Sequence, residues 1–191
     1  MEKLGDTEFL VLNAVHLNKM SKPEGVAAAT GLDLDVVQRW LAAAEQAGIG
    51  ALVGDQFLLF PDGSSAVVEY YARKYGSLRD DPALISWYER FEALNSQFIK
   101  LVSDWQKMDN DPGVEAKLIK VVERLCKAID ALVPQIPRYG EYTRRFNASI
   151  GRVDQGDKDY LCNPTMDSIH NIWFEFHEDI LSVLGRPRDT A

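Results

Sequence analysis

Two histidines near the end of the chain have the type and spacing that could support chemistry. His170 and His177 lie in the segment 166–184, MDSIHNIWFEFHEDILSVL. At 3.6 residues per turn, residues seven apart share one face of a helix. An imidazole titrates near neutral pH and can take a proton from an alcohol or phenol as a general base. The spacing therefore predicts two catalytic histidines stacked along one helix.

The residues around these histidines predict how the helix is oriented. The inward positions would be Met166, His170, Trp173, His177, Ile180 and Leu184, spaced by four and three as in a helix-bundle seam. The wet face would carry Asp167, Asn171, Glu175, Glu178 and Asp179. Both imidazoles would then lie in an aromatic pocket. The alternative is that each is a structural core residue bonded to a neighbouring group.

A helix from Pro82 to about Met108 supplies a second polar candidate. Its apolar stripe is Leu84, Trp87, Tyr88, Phe91, Leu94, Phe98, Val102 and Trp105, with Asn95 near the middle. A buried amide without partners costs about 1–3 kcal/mol. Asn95 is therefore either a pocket group or an inter-helix hydrogen bond that fixes the register of the helices.

A helix from about Arg138 to Arg152 supplies the remaining candidates. Tyr139 and Tyr142 would face inward, with Arg145 beside them. An arginine there could hold an anion through two hydrogen bonds, or it could pair with a neighbouring acid. The predicted substrate-binding set is Asn95, Tyr139, Tyr142, Arg145, Trp173 and Phe91, around a small, flat, hydroxylated molecule. We predict no metal site, since no inward carboxylate or cysteine completes a ligand shell with the histidines.

The first half of the chain predicts three helices, a hairpin and a fourth helix. The hairpin strands would be 49–53 and 56–60, joined at Gly54-Asp55. This order, and the segment 25–63, resemble winged helix-turn-helix domains. We predict a mainly α protein, with a winged helix-turn-helix domain (1–76), an antiparallel four-helix bundle (82–185) and a flexible tail (186–191).

Charge and composition exclude several classes of function. The net charge is −8, and residues 1–76 carry six basic and ten acidic side chains, giving 6 − 10 = −4. Such a surface repels duplex DNA, so we do not favour DNA binding. The two cysteines show no CxxC spacing. We see neither a signal peptide nor an apolar stretch long enough to span a bilayer, so we expect a cytoplasmic protein without membrane contact.

From Trp87 onward the sequence resembles a bacterial helical domain associated with phosphoenolpyruvate-synthase-like and pyruvate phosphate dikinase-like proteins. The matching pieces are 94–95 (LN), 100–106 (KLVSDWQ), 167–179 (DSIHNIWFEFHED) and 184–186 (LGR). The resemblance implies a small accessory, acceptor-binding subunit of an ATP-dependent phosphotransferase. Its implied partners are a larger ATP-grasp and phosphohistidine subunit and a phenol or cresol as acceptor.

In that interpretation the chain binds no cofactor itself, and ATP and Mg²⁺ belong to the partner subunit. The alternative is a ligand-responsive winged-helix transcriptional regulator, with the helical half as its sensor. A third possibility is a scaffold without a ligand, which requires a solidly packed bundle.

Overall fold

The computed structural model describes residues 3–108 and 111–187. Within them 74% of the residues are helical, in nine α-helices and two 3₁₀ turns, and a small three-stranded sheet is present. The expectation of a mainly α protein is therefore confirmed. No helix in these two ranges is both long and apolar enough to cross a membrane.

The first part of the chain contains four helices and the three strands of the sheet. Its elements are α1 (Asp6–Asn18), β1 (Met20–Ser21), α2 (Pro23–Thr30), α3 (Leu34–Gln46), β2 (Gly50–Val53), β3 (Gln56–Leu59) and α4 (Pro61–Tyr75). The strand order is β1-β3-β2, and both pairings are antiparallel. Strand β1 was not predicted, because two residues are too few to show an alternating pattern. Gly50 is required in β2, since a Cβ there would collide with the Phe57 ring and the Leu58 carbonyl.

The rest of the chain is helical. Its α-helices are α5 (Pro82–Lys107), α6 (Pro112–Asp130), α7 (Gly140–Asp154), α8 (Asp159–Cys162) and α9 (Ile169–Leu184), with 3₁₀ turns at Gly76–Leu78 and Pro137–Tyr139. Helices α5 and α6 begin with proline at the first helical position, where its missing N–H costs nothing. All nine residues predicted to face inward from α5 are buried, Asn95 included.

The chain divides into two compact units. The N-terminal unit contains residues 1–79 and 177–191, and the helical unit contains residues 80–176, within the described ranges. Helix α9 contributes residues 169–176 to the helical unit and 177–184 to the N-terminal unit. This division differs from the predicted domain ranges, which place 177–185 in the bundle.

Each unit has its own aromatic centre. In the N-terminal unit Phe9 stacks on Tyr70, with ring centroids 3.8 Å apart, and meets Tyr71 edge-on. In the helical unit Trp173 stacks on Phe98 at 3.9 Å. Such rings bury large apolar areas and account for much of the stability of both cores.

Candidate functional site

The predicted inward face of helix α9 is buried only in part: Trp173, Ile180 and Leu184 are 3%, 0% and 5% exposed. The fully buried positions of α9 are Ile169, Ile172, Phe176, Ile180 and Val183, each 0% exposed. His170 is exposed and His177 is half-buried. The expectation that His170 faces inward is therefore wrong. A stripe of large apolar side chains buries more area than one containing two imidazoles, and this difference sets the face that packs.

His170 keeps one aromatic neighbour. Its ring lies 6.4 Å from that of Phe98 and nearly parallel to it, at 17°. Partial burial lowers the pKa of His170 below its ordinary value, and a hydrogen bond with Asn171 opposes that shift. The imidazole is thus an accessible, predominantly neutral base at neutral pH. His177 belongs to the N-terminal unit by the division above.

Trp173 occupies the centre of the predicted binding set. Its ring is stacked between Phe98 and Phe91, and the centroid of Phe91 lies 6.0 Å away. Its indole Nε1–H donates to Asn95 Oδ1 at 2.9 Å. Asn95 therefore forms the inter-helix hydrogen bond that was the alternative to a pocket role. It ties α5 to α9 and satisfies a buried N–H.

The two predicted tyrosines meet α9 at Phe176. Tyr139 and Tyr142 approach that ring edge-on, with centroids 5.3 Å and 5.2 Å away. Tyr139 is completely buried and Tyr142 nearly so. The structure thus brings Phe91, Asn95, Tyr139, Tyr142 and Trp173 into one region of the helical unit. These side chains contact one another or shared aromatic neighbours there, so their first role is packing.

Arg145 is buried in the helical unit and paired with two acids. It is 4% exposed. It donates through Nε and Nη2 to Asp167, at 3.1 Å and 2.5 Å, and through Nη1 to Glu175 at 2.6 Å. Burial opposes the charge, but the carboxylates of Glu175 and Asp167 outweigh it and raise the pKa of the guanidinium. An anionic ligand would have to displace one of these carboxylates, and the pairing with neighbouring acids is the alternative considered for this residue.

Two acids were placed on the wrong face of α9. Glu175 and Asp179 were expected in water but are 7% and 1% exposed. Glu175 is held by Arg145. In the N-terminal unit Asn13 Nδ2 donates to Asp179 at 3.5 Å, and Tyr71 donates its hydroxyl to Asn13 at 2.8 Å. The one sequence signal was Asn13 itself, a polar residue inside the apolar run of α1.

The remaining ligating groups do not assemble a metal centre within residues 3–108 and 111–187. No cluster of three or more histidine, cysteine or acidic side chains there could hold an ion. Burial raises the pKa of the Cys126 thiol to about 12 and that of Cys162 to about 11. Both cysteines are thiols at neutral pH, which disfavours nucleophilic chemistry through them.

Comparison with models of protein families, with curated proteins and with solved structures gave no match for this chain.

Proposed function

We propose that this chain is a small accessory subunit of a larger ATP-dependent phosphotransferase and not a catalyst on its own. The observation that carries the proposal is that two of the predicted pocket residues are paired with other side chains of this chain. Asn95 accepts a hydrogen bond from Trp173, and Arg145 is paired with the carboxylates of Asp167 and Glu175. Because these partners occupy Asn95 and Arg145, neither side chain is available for bond-making in the interior of the helical unit, which supports an accessory role over independent catalysis.

The architecture is part of the proposal. We assign a winged helix-turn-helix fold to residues 3–79, and its support is the order α1-β1-α2-α3-β2-β3-α4 with antiparallel strands. We assign an antiparallel four-helix bundle to α5, α6, α7 and residues 169–176 of α9. Phe98 faces His170 while Phe91 faces Phe176, so α5 and α9 run in opposite directions.

The partner type and acceptor come from the resemblance of the helical segments to phosphoenolpyruvate-synthase-like proteins. The partner would carry the ATP-grasp and phosphohistidine parts with ATP and Mg²⁺, and the acceptor would be an aromatic hydroxyl compound of the phenol or cresol type. His170 suits the acceptor better than the buried residues do. It is accessible, next to Phe98 and disposed to stay neutral, so it could take the hydroxyl proton.

The test is reconstitution with the larger subunit. The tagged chain, purified from the cells that make it, should retain an ATP-grasp and phosphohistidine protein in stoichiometric amount. The pair should phosphorylate phenol with ATP, and the larger protein alone should not. His170→Ala should reduce the rate by roughly 10²-fold, the usual range for loss of a general base, while the complex still forms.

The matched control is His16→Ala, on α1, which should leave the rate unchanged. His177→Ala tests the second predicted histidine in the same assay. A larger subunit that is fully active without the chain would overturn the proposal. An unchanged rate in both the His170 and His177 variants would remove the catalytic part and leave only docking.

A transcriptional regulator is the second candidate, and the element order of the N-terminal unit favours it. Against it stands the surface charge. In the hairpin turn Asp55 pairs with Lys22 at 2.5 Å, so this lysine is engaged by an acid instead of a phosphate. A gel shift on DNA from its own promoter, at low salt and with or without phenol, separates the candidates. A band that weakens steeply with salt would favour the regulator.

A further inference from the structure

A line of cations runs along the solvent side of α6. The buried side of this helix is apolar and includes Val114, Leu118, Val121 and Leu125. The exposed side carries Lys117, Lys120, Arg124 and Lys127. Residues three or four apart on a helix are neighbours, so these four side chains follow one another over about 15 Å of helix. We call Lys117, Lys120, Arg124 and Lys127 the cationic stripe.

The cationic stripe is not paired with acids. In the part of the chain that the structure describes, none of its three lysines forms an ion pair. Its arginine, Arg124, donates to a neutral oxygen, Gln97 Oε1 on α5, at 3.2 Å. The four positive charges of the stripe are therefore available to a partner.

The acids of α6 leave the exposed charge of the helix positive. Glu115 is already paired with Lys158 at 2.6 Å. The exposed acids are Glu123 and Asp130, and Asp130 accepts a hydrogen bond from Thr143 on α7. The exposed charges of α6 thus sum to 4 − 2 = +2, whereas the whole chain carries −8. The stripe is a positive surface on an acidic protein.

The cationic stripe does not stabilise the helix that carries it. Like charges three or four residues apart repel each other and lower the stability of a helix. The stripe contains three such neighbouring pairs, and the acid between them, Glu123, forms no ion pair among the described residues. A residue pattern that opposes local stability is expected at functional sites. The stripe is therefore better explained by binding than by folding.

The charge and length of the stripe select among occupants. Duplex DNA and an anionic membrane extend beyond one helix and would also meet the surrounding acids of a chain with net charge −8. A second copy has the same net charge, so two copies repel each other. Charges are screened beyond about 8 Å at physiological salt, so a short acidic segment would interact mainly with the stripe. Carboxylates spread over the same length would complement its four cations.

We propose that the cationic stripe is a docking surface for an acidic segment of a partner protein. The inference deepens the accessory-subunit proposal, on which the identity of the partner rests, by naming the surface that would hold the larger subunit. The stripe lies on α6 and His170 lies on α9. A partner bound at the stripe therefore does not use the helix that carries the proposed base.

The test is site-specific photo-crosslinking in the cells that make the protein. Benzoylphenylalanine is placed at Ala116 of the full chain, which is exposed on α6 one turn before Lys120. This position keeps all four cations of the stripe. The control position is Ala148, an exposed alanine on α7 in the same unit. We expect adducts from position 116 to one peptide with a net negative charge, and none from position 148.

The captured peptide is then synthesised and titrated against the full chain. The double variant Lys120→Glu/Lys127→Glu should weaken its binding about tenfold or more, because like charges then face each other. The double variant Lys120→Arg/Lys127→Arg should bind as the original chain does. Lys3→Glu/Lys19→Glu is the matched control, since it makes the same change in net charge at two exposed lysines of the N-terminal unit, and it should leave binding unchanged. Circular dichroism should show the same helix content in all three variants.

Several results would overturn the inference. They are adducts to nucleic acid, to lipid, to a basic segment or to a second copy, and no adduct from position 116 above the level at position 148. An equal loss of binding in the two lysine-to-glutamate variants would also overturn it. If the captured acidic segment belongs to a protein that is not a phosphotransferase, the docking surface stands and the proposed function fails. If a phosphotransferase subunit is captured only from position 148, the proposed function stands and the stripe is not its docking surface.

Discussion

At the residue scale, Arg145 anchors the buried charge of the helical unit. It joins α7 to Glu175 on α9 and to Asp167 just before that helix. The net worth of such a buried set is small, because desolvation offsets most of the attraction. Removing one partner is different, since the others are left charged and buried. The main effect of losing Arg145 would therefore be a buried carboxylate without its cation, and not the loss of the ion-pair attraction itself.

Arg145→Met should be strongly destabilising. It leaves Glu175 buried without its cation, and breaking a buried ion pair costs about 3–5 kcal/mol. Urea unfolding followed by circular dichroism measures the change. The control is Arg144→Met, which removes a half-exposed pair with Glu141 and should cost less than about 1 kcal/mol. Equal losses in the two variants would mean that the buried cluster carries no special weight.

The histidines make stability depend on pH. Burial lowers the pKa of both His16 and His170, with the charge of Lys19 adding to the shift at His16. Their neutral forms stabilise the fold above the unfolded-state pKa, about 6.5. That contribution is lost as pH falls through the lower folded-state values. NMR titration should place both pKa values below 6.5. The urea concentration at the midpoint of unfolding should be lower at pH 5 than at pH 7.

The variant His170→Asn isolates one part of this effect. It should show a smaller fall in midpoint over the same pH interval, because one titrating group is gone. A His170 that titrates at or above its unfolded-state value would contradict the partial burial beside Phe98.

The sequence pattern could identify some of the buried polar side chains but not all of them. Asn95 was recognisable because it interrupts a long apolar stripe, and it is indeed buried and bonded. Glu175 and Asp179 were not recognisable, since acids are seldom buried without a partner. Their partners, Arg145 and Asn13, lie 30 and 166 residues away in sequence. Contacts of that range depend on tertiary packing, which no local pattern encodes.

At the scale of elements, periodicity predicted the long helices well and their first residues less well. The α5 stripe was correct because its aromatic residues recur from Trp87 to Trp105, over about five turns of one helix. The predicted start of α9 was wrong. The inward positions were predicted from Met166 onward, but the helix begins at Ile169, and Ser168 Oγ accepts from the Asn171 N–H at 3.4 Å. Asp167 is paired with Arg145.

Helix α6 depends on its cap more than α3 does. Asp111 accepts from the N–H groups of Gly113 and Val114 at 2.8 Å and 3.0 Å. Asp33 occupies the same position before α3 but makes no side-chain cap. Asp111→Ala should lower the free energy of unfolding by about 1 kcal/mol, and Asp33→Ala by clearly less. Urea denaturation of the two variants makes the comparison, and a larger loss for Asp33→Ala would refute it.

At the scale of the whole molecule, the last helix belongs to both units. Residues 177–184 of α9 are part of the N-terminal unit although they follow the helical unit in sequence. Composition and period predicted two parts with a division between 76 and 82, and the two compact units divide after residue 79 and again after residue 176. The return of the chain to its first unit was not predictable, because it depends on pairs such as Asn13 with Asp179.

Because residues 177–184 of α9 belong to the N-terminal unit, we expect them to open locally together with other segments of that unit. Asn13→Ala removes a hydrogen bond to Asp179 and the acceptor of the buried Tyr71 hydroxyl. Burying such groups without that partner costs about 1–3 kcal/mol. Because local opening follows cooperative units, amide hydrogen exchange should quicken by about tenfold in 177–184 and in α4. It should stay unchanged in α6, which lies in the helical unit.

The matched control is Asn18→Ala, which removes an amide that donates to the Ala14 carbonyl within α1 and should leave exchange in 177–184 unaltered. Hydrogen exchange with mass spectrometry resolves these segments. If Asn13→Ala quickens exchange in α6 as much as in 177–184, the chain opens as one cooperative body. If it quickens neither 177–184 nor α4, the Asn13–Asp179 contact does not couple the last turns of α9 to the first unit.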